Sequence, residues 1–155
     1  MPSGEAFAQE VLAPSGERYA SGDKASAVEL FLQGVCGPHM REVADHALPP
    51  GAYDLAAADA YTFFLTEGPA LGEWQFGPSE AARIDQPVLL VLGTGSEAVT
   101  PTFAEVNAAL AEWLPRAEQV TLPGATHALQ MMNPAGTAEL LGDFFARHPV
   151  SAAVG

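Results

Sequence analysis

Pro87-Val88-Leu89-Leu90-Val91-Leu92 is an unbroken apolar run that stops at Gly93-Thr94-Gly95-Ser96-Glu97. Six apolar residues between turn formers read as a buried strand followed by a loop. Downstream, Phe103, Val106, Leu110, Trp113 and Leu114 fall on one face of a predicted helix. Thr100 or Thr102 is placed to cap its start, and Pro115 to stop it. A second strand is predicted at Gln119-Val120-Thr121-Leu122, leading into Pro123-Gly124-Ala125-Thr126-His127. A last helical pattern runs from Asn133 to Arg147. Strand–helix–strand–helix order predicts a parallel α/β sheet.

Upstream of Ile84 the pattern is different. Residues 1–22 predict a short helix with loose ends around Phe7, Val11 and Leu12. Asp23 is placed to cap a helix in which Val28, Phe31, Leu32 and Val35 form an apolar stripe, ended by Gly37-Pro38. Met40, Val43, Ala44 and Ala47 continue the pattern until Leu48-Pro49-Pro50-Gly51 breaks it. A third helix is predicted from Tyr53 to Leu65, with Ala57, Tyr61, Phe64 and Leu65 on one side. Residues 67–83 read as a loop-rich connection holding Trp74 and Phe76, and 150–155 as a frayed tail. The chain therefore divides into a helical segment, 1–83, and an α/β segment, 84–155. Two strands do not make a stable open sheet alone. Strands hidden in the first segment, a sheet completed by another chain, and a piece of a larger fold all fit the pattern.

Composition narrows the function. Of 155 residues, 48% are apolar, and 6 basic residues against 19 acidic ones give a net charge of −13. That balance argues against nucleic acid and against an anionic membrane surface, both of which need clustered Lys and Arg. There is no long uncharged apolar run, the N-terminus lacks the pattern of a signal peptide, and Cys36 is the single cysteine. Together these predict a cytoplasmic chain.

His127 is the most informative residue. It lies in a loop after a strand, where parallel sheets collect ligands and reacting groups. The loop after the first strand leaves from the same edge, so the two are expected to face each other. A histidine there is suited to general-base work if an acid orients its second ring nitrogen; in a structural role it would bond backbone instead. Glu97 is the one carboxylate in the first loop, and Ser96 beside it offers a hydroxyl. A charge at a helix start is the structural alternative for Glu97.

No Gly-x-Ser-x-Gly nucleophile turn occurs. Gly34-Val35-Cys36-Gly37-Pro38 is the nearest sequence, but it ends a helix, and Cys36 reads as a small buried residue. His39, His46 and His148 lack metal-ligand spacing. Gly93-Thr94-Gly95 lacks the third glycine of a dinucleotide loop. Trp74, Phe76 and Met131-Met132 read as core.

These residues resemble a family. The segment from Ile84 to Gly93 is similar to the strand before the acid loop of α/β-hydrolases. Leu122-Pro123-Gly124-Ala125-Thr126-His127 resembles their catalytic-histidine loop, and Asn133-Pro134 through His148 their last helix. Asp59 to Phe64 and Trp74-Gln75-Phe76-Gly77 resemble the helical cap inserted before that strand. The resemblance implies a partial α/β-hydrolase fold: a cap segment, then the last two parallel strands with flanking helices. It implies ester hydrolysis without a cofactor, on a small apolar substrate under the cap, with His127 as general base and Ser96 or Glu97 where the family has aspartate. The nucleophile belongs to the part of the family fold preceding the cap. The expectation is thus a chain inactive alone, with an exposed sheet edge open to self-association or a partner chain. A non-catalytic binding module derived from the fold is the alternative.

Overall fold

The computed structural model describes residues 2–149, and the tail expected to fray, 150–155, lies outside them. The architecture is α/β. Helices α1 (Pro2–Phe7), α2 (Ala13–Ala20), α3 (Lys24–Cys36), α4 (Met40–Ala47), α5 (Ala52–Asp59), α6 (Gly68–Glu73) and α7 (Pro78–Ala81) precede strand β1 (Val88–Gly93). Then come α8 (Ser96–Val99), α9 (Thr102–Trp113), β2 (Ala117–Leu122), α10 (Leu129–Met132) and α11 (Pro134–Arg147). The two strands are parallel, with Val88 opposite Ala117 and Gly93 opposite Leu122. Among the described residues this sheet has two strands. Each presents one unpaired edge.

The N-terminal stretch is more helical than its prolines suggest. A π-helical turn, Ala8–Leu12, joins α1 to α2, and a second, Phe63–Glu67, leads into α6. Each ends immediately before a helix whose second residue is proline, Pro14 or Pro69. Proline supplies no N–H to the preceding turn, and a wider turn accommodates the gap without breaking the helix. The second π turn changes which side chains face inward. Phe63 and Phe64 pack on Phe31, and Phe64 stacks on Tyr19 at 4.5 Å. Tyr61 and Leu65, expected on the same inward side as Phe64, are 58% and 66% exposed. The expected loop at 67–83 contains α6 and α7. Trp74 is not core: it is exposed and stacks on Phe76 at 5.3 Å.

Other expectations hold. The Asp23 carboxylate accepts the Ser26 N–H at the start of α3. Val28 and Val35 are buried along that helix, and Gly37, at φ +101°, turns the chain out of it. At α9 the expectation is corrected: Pro101 is the N-cap, and Thr100 Oγ1, one residue before it, accepts the Thr102 N–H, while Thr102 Oγ1 donates to the Ser3 carbonyl.

Two buried clusters hold the molecule together. Val35, Cys36, Met40, Ala44 and Tyr53 from the helical segment enclose Ala128, with Phe103, Met131 and Met132 packed against them. Ala81, Leu90 and Leu114 form the other, under Phe76 and Leu110. The first cluster crosses the expected boundary at residue 83, so the helical segment is packed against the loop that carries His127.

Candidate functional site

Two loops at the carboxyl ends of β1 and β2 form the site. Pro123 presets the turn after β2, and Gly124 takes the left-handed conformation, φ +69°, that such a turn requires. The loops are bonded to each other. Gly95 N–H donates to the Ala125 carbonyl at 2.9 Å, and Gly124 N–H to Thr94 Oγ1 at 3.2 Å. They also touch directly: a Cβ at Gly93 would collide with the carbonyl oxygens of Ala125 and Thr126. Only glycine lets the strand end pass this close to the histidine loop.

The helical segment fixes the same loop from the other side. Thr126 Oγ1 donates to the Cys36 carbonyl at 2.7 Å. The Cys36 thiol packs in one buried cluster with Ala128, and burial pushes its pKa up to about 11. Cys36 is therefore a protonated anchor at neutral pH, which agrees with its reading as a buried helix-end residue. His127 is flanked on both sides by residues tied to it.

The His127 ring lies flat against Phe103 of α9, centroids 4.2 Å apart and planes 8° from parallel. Burial alone pushes its pKa below the ordinary 6.5. The imidazole is then neutral at pH 7, the form that can take up a proton. Among the described residues no carboxylate accepts a hydrogen bond from its ring.

His127 and Ser96 line one cavity of about 220 Å³ with Leu89 to Gly93 of β1, Phe103, Val106 and Leu129. Ser96 is 1% exposed. Glu97 is exposed and is not part of the wall. Of the three residues singled out in sequence, the fold thus brings two together and turns the third to solvent. A serine hydroxyl can hydrogen-bond the imidazole or a ligand but cannot supply the charge of a carboxylate. The cavity is smaller than the roughly 300–1,000 Å³ usual for drug-sized ligands. Its wall is apolar, which suits a small uncharged group.

Sequence reasoning missed Phe103, Cys36 and Thr126 as site residues. Phe103 was legible only as part of a helix face, and the Thr126–Cys36 bond spans a sequence separation of 90. Among the described residues no group of three or more His, Cys, Asp or Glu is placed to hold a metal ion, and no helix is long and apolar enough to cross a membrane. Comparison of the chain with protein-family models, with curated proteins and with solved structures finds no match.

Proposed function

We propose that this chain carries the histidine-bearing part of an α/β-hydrolase-type acyl-transfer site. Its cavity takes a small uncharged apolar ester or acyl group, and the chain does not cleave esters by itself. The observation that supports this most is the convergence of Ser96 and a neutral His127 on one apolar cavity at the carboxyl end of parallel strands. A buried neutral imidazole is the form a general base needs. In this reading Ser96 orients the imidazole or the ligand, and Glu97 has no part. The nucleophile is supplied by other polypeptide, because no Gly-x-Ser-x-Gly turn occurs in the sequence and the Cys36 thiol is held protonated.

A second reading, a binding module without chemistry, is favoured by one specific feature. His127 is stacked on Phe103 with no carboxylate bonded to its ring, so it serves as part of an apolar wall. The readings separate on p-nitrophenyl butyrate. The chain alone should leave it uncleaved. Joined to any Gly-x-Ser-x-Gly segment encoded upstream, it should cleave it in a manner abolished by His127→Ala. Cleavage that survives His127→Ala overturns the first reading, and failure of every joined form to cleave selects the second.

A further inference from the structure

The outer edge of β1 has a defined set of unpaired backbone groups. Val88 N–H donates to the Arg116 carbonyl and Thr94 N–H to the Leu122 carbonyl. Between them Leu90 lies opposite Gln119 and Leu92 opposite Thr121. Backbone groups alternate in direction along a strand, so those of Leu89, Val91 and Gly93 point away from β2. Among the described residues no other strand pairs with β1. These groups open into the groove walled by Phe103, Val106 and Leu110 of α9, none of which carries a charge.

We propose that this edge takes up an extended segment of a different polypeptide as a third strand, with apolar side chains along the groove and basic residues flanking them. A row of free N–H and C=O groups at strand spacing is matched by another extended backbone. A helix or a small molecule leaves most of the row unpaired. Charge decides against a second copy. Antiparallel self-pairing centred on Val91 brings the end of β1 next to Asp85 in each copy to the end next to Glu97 in the other. Both carboxylates are exposed and each copy carries −13. The same two carboxylates, one beyond each end of the strand, favour Lys or Arg flanks on a partner. The groove belongs to the cavity that His127 and Ser96 line, so a seated strand and an ester would compete for it, but the inference does not need chemistry at His127. The ester assays read that chemistry, whereas the experiment below reads the amides of β1, so either can fail alone.

The probe is the fluorescein-labelled peptide Lys-Lys-Val-Leu-Val-Ile-Val-Lys-Lys, titrated with the full chain by anisotropy. Saturable binding is expected, weakened when Glu replaces the Lys flanks. Val91→Pro removes an outward N–H and no β1–β2 bond, a position where edge strands tolerate proline. It should weaken binding by about tenfold or more. Should Val91→Pro fail to fold, hydrogen exchange on the wild-type chain decides: peptide should slow the amides of Leu89 and Val91 and leave those of Leu90 and Leu92 unchanged. Absence of binding, or binding that leaves the Leu89 and Val91 amides unprotected, overturns the proposal. So does a dimer in sedimentation that Val91→Pro dissociates, since the occupant is then a second copy.

Discussion

His127 and Phe103 are stacked face to face, ring centroids 4.2 Å apart and planes 8° from parallel. One ring comes from the loop after β2, the other from the first turn of α9. Both rings line the cavity, and the stacking keeps water from the imidazole on that side. Burial is what holds the His127 pKa below 6.5. The histidine's protonation, the cavity wall and the seating of α9 thus depend on a common contact.

The depressed pKa has a consequence for stability. In the unfolded chain His127 takes up its proton near 6.5, whereas in the folded chain it does so only at lower pH. Its contribution is therefore present above pH 6.5 and is lost as the pH falls through the folded value. His127→Phe keeps a ring for Phe103 and removes the titration. Urea midpoints measured from pH 7.5 to 5 should fall more for the wild-type chain than for His127→Phe. Parallel curves would show that His127 is not buried in its neutral form.

Phe103→Ala should have two effects. It removes a half-buried aromatic that also packs on Phe7, which should cost about 2–3 kcal/mol. It also lets water reach the imidazole, so the His127 pKa, followed by NMR of the ring, should rise toward 6.5. Loss of stability with no movement of the titration would separate packing from protonation.

Thr126→Val removes the hydroxyl that ties the histidine loop to Cys36 and keeps a similar shape. Loss of this bond should cost about 1 kcal/mol in urea unfolding. The wild-type Cys36 thiol, with its pKa pushed up to about 11, should resist iodoacetamide at pH 7. Thr126→Val should leave that resistance largely intact, because the thiol's contact is with Ala128.

The extent of what was legible follows from the range of the interactions. β1 was readable because six apolar residues before a glycine are a local signal. β2 was read only from Gln119. It starts at Ala117, and Glu118 within it breaks the apolar run. That carboxylate is held below its usual range by hydrogen bonds from His148 and then Arg147 of the α11 end, partners some thirty positions later. The π turns were not read because Pro14 and Pro69 signal a break in the helix and not a wider turn that continues it. Their effect is that Phe63 faces inward and Leu65 does not. In the site, the position of His127 after a strand was local, whereas Phe103 above it and Cys36 beneath it are set by packing. Ser96 and Glu97 are adjacent in sequence. Which of them faces the cavity was decided by the single turn at α8.

Ser96 and His127 sharing one cavity that holds a small apolar ester without cleaving it is the proposal on which the rest depends. The direct measurement is an NMR titration of the isotopically labelled chain with ethyl butyrate, following the Ser96 amide and the His127 imidazole while ester and product are quantified in the same tube. Both signals should shift together and saturate with the ester intact. Signals that do not move, or ester that disappears, would contradict it.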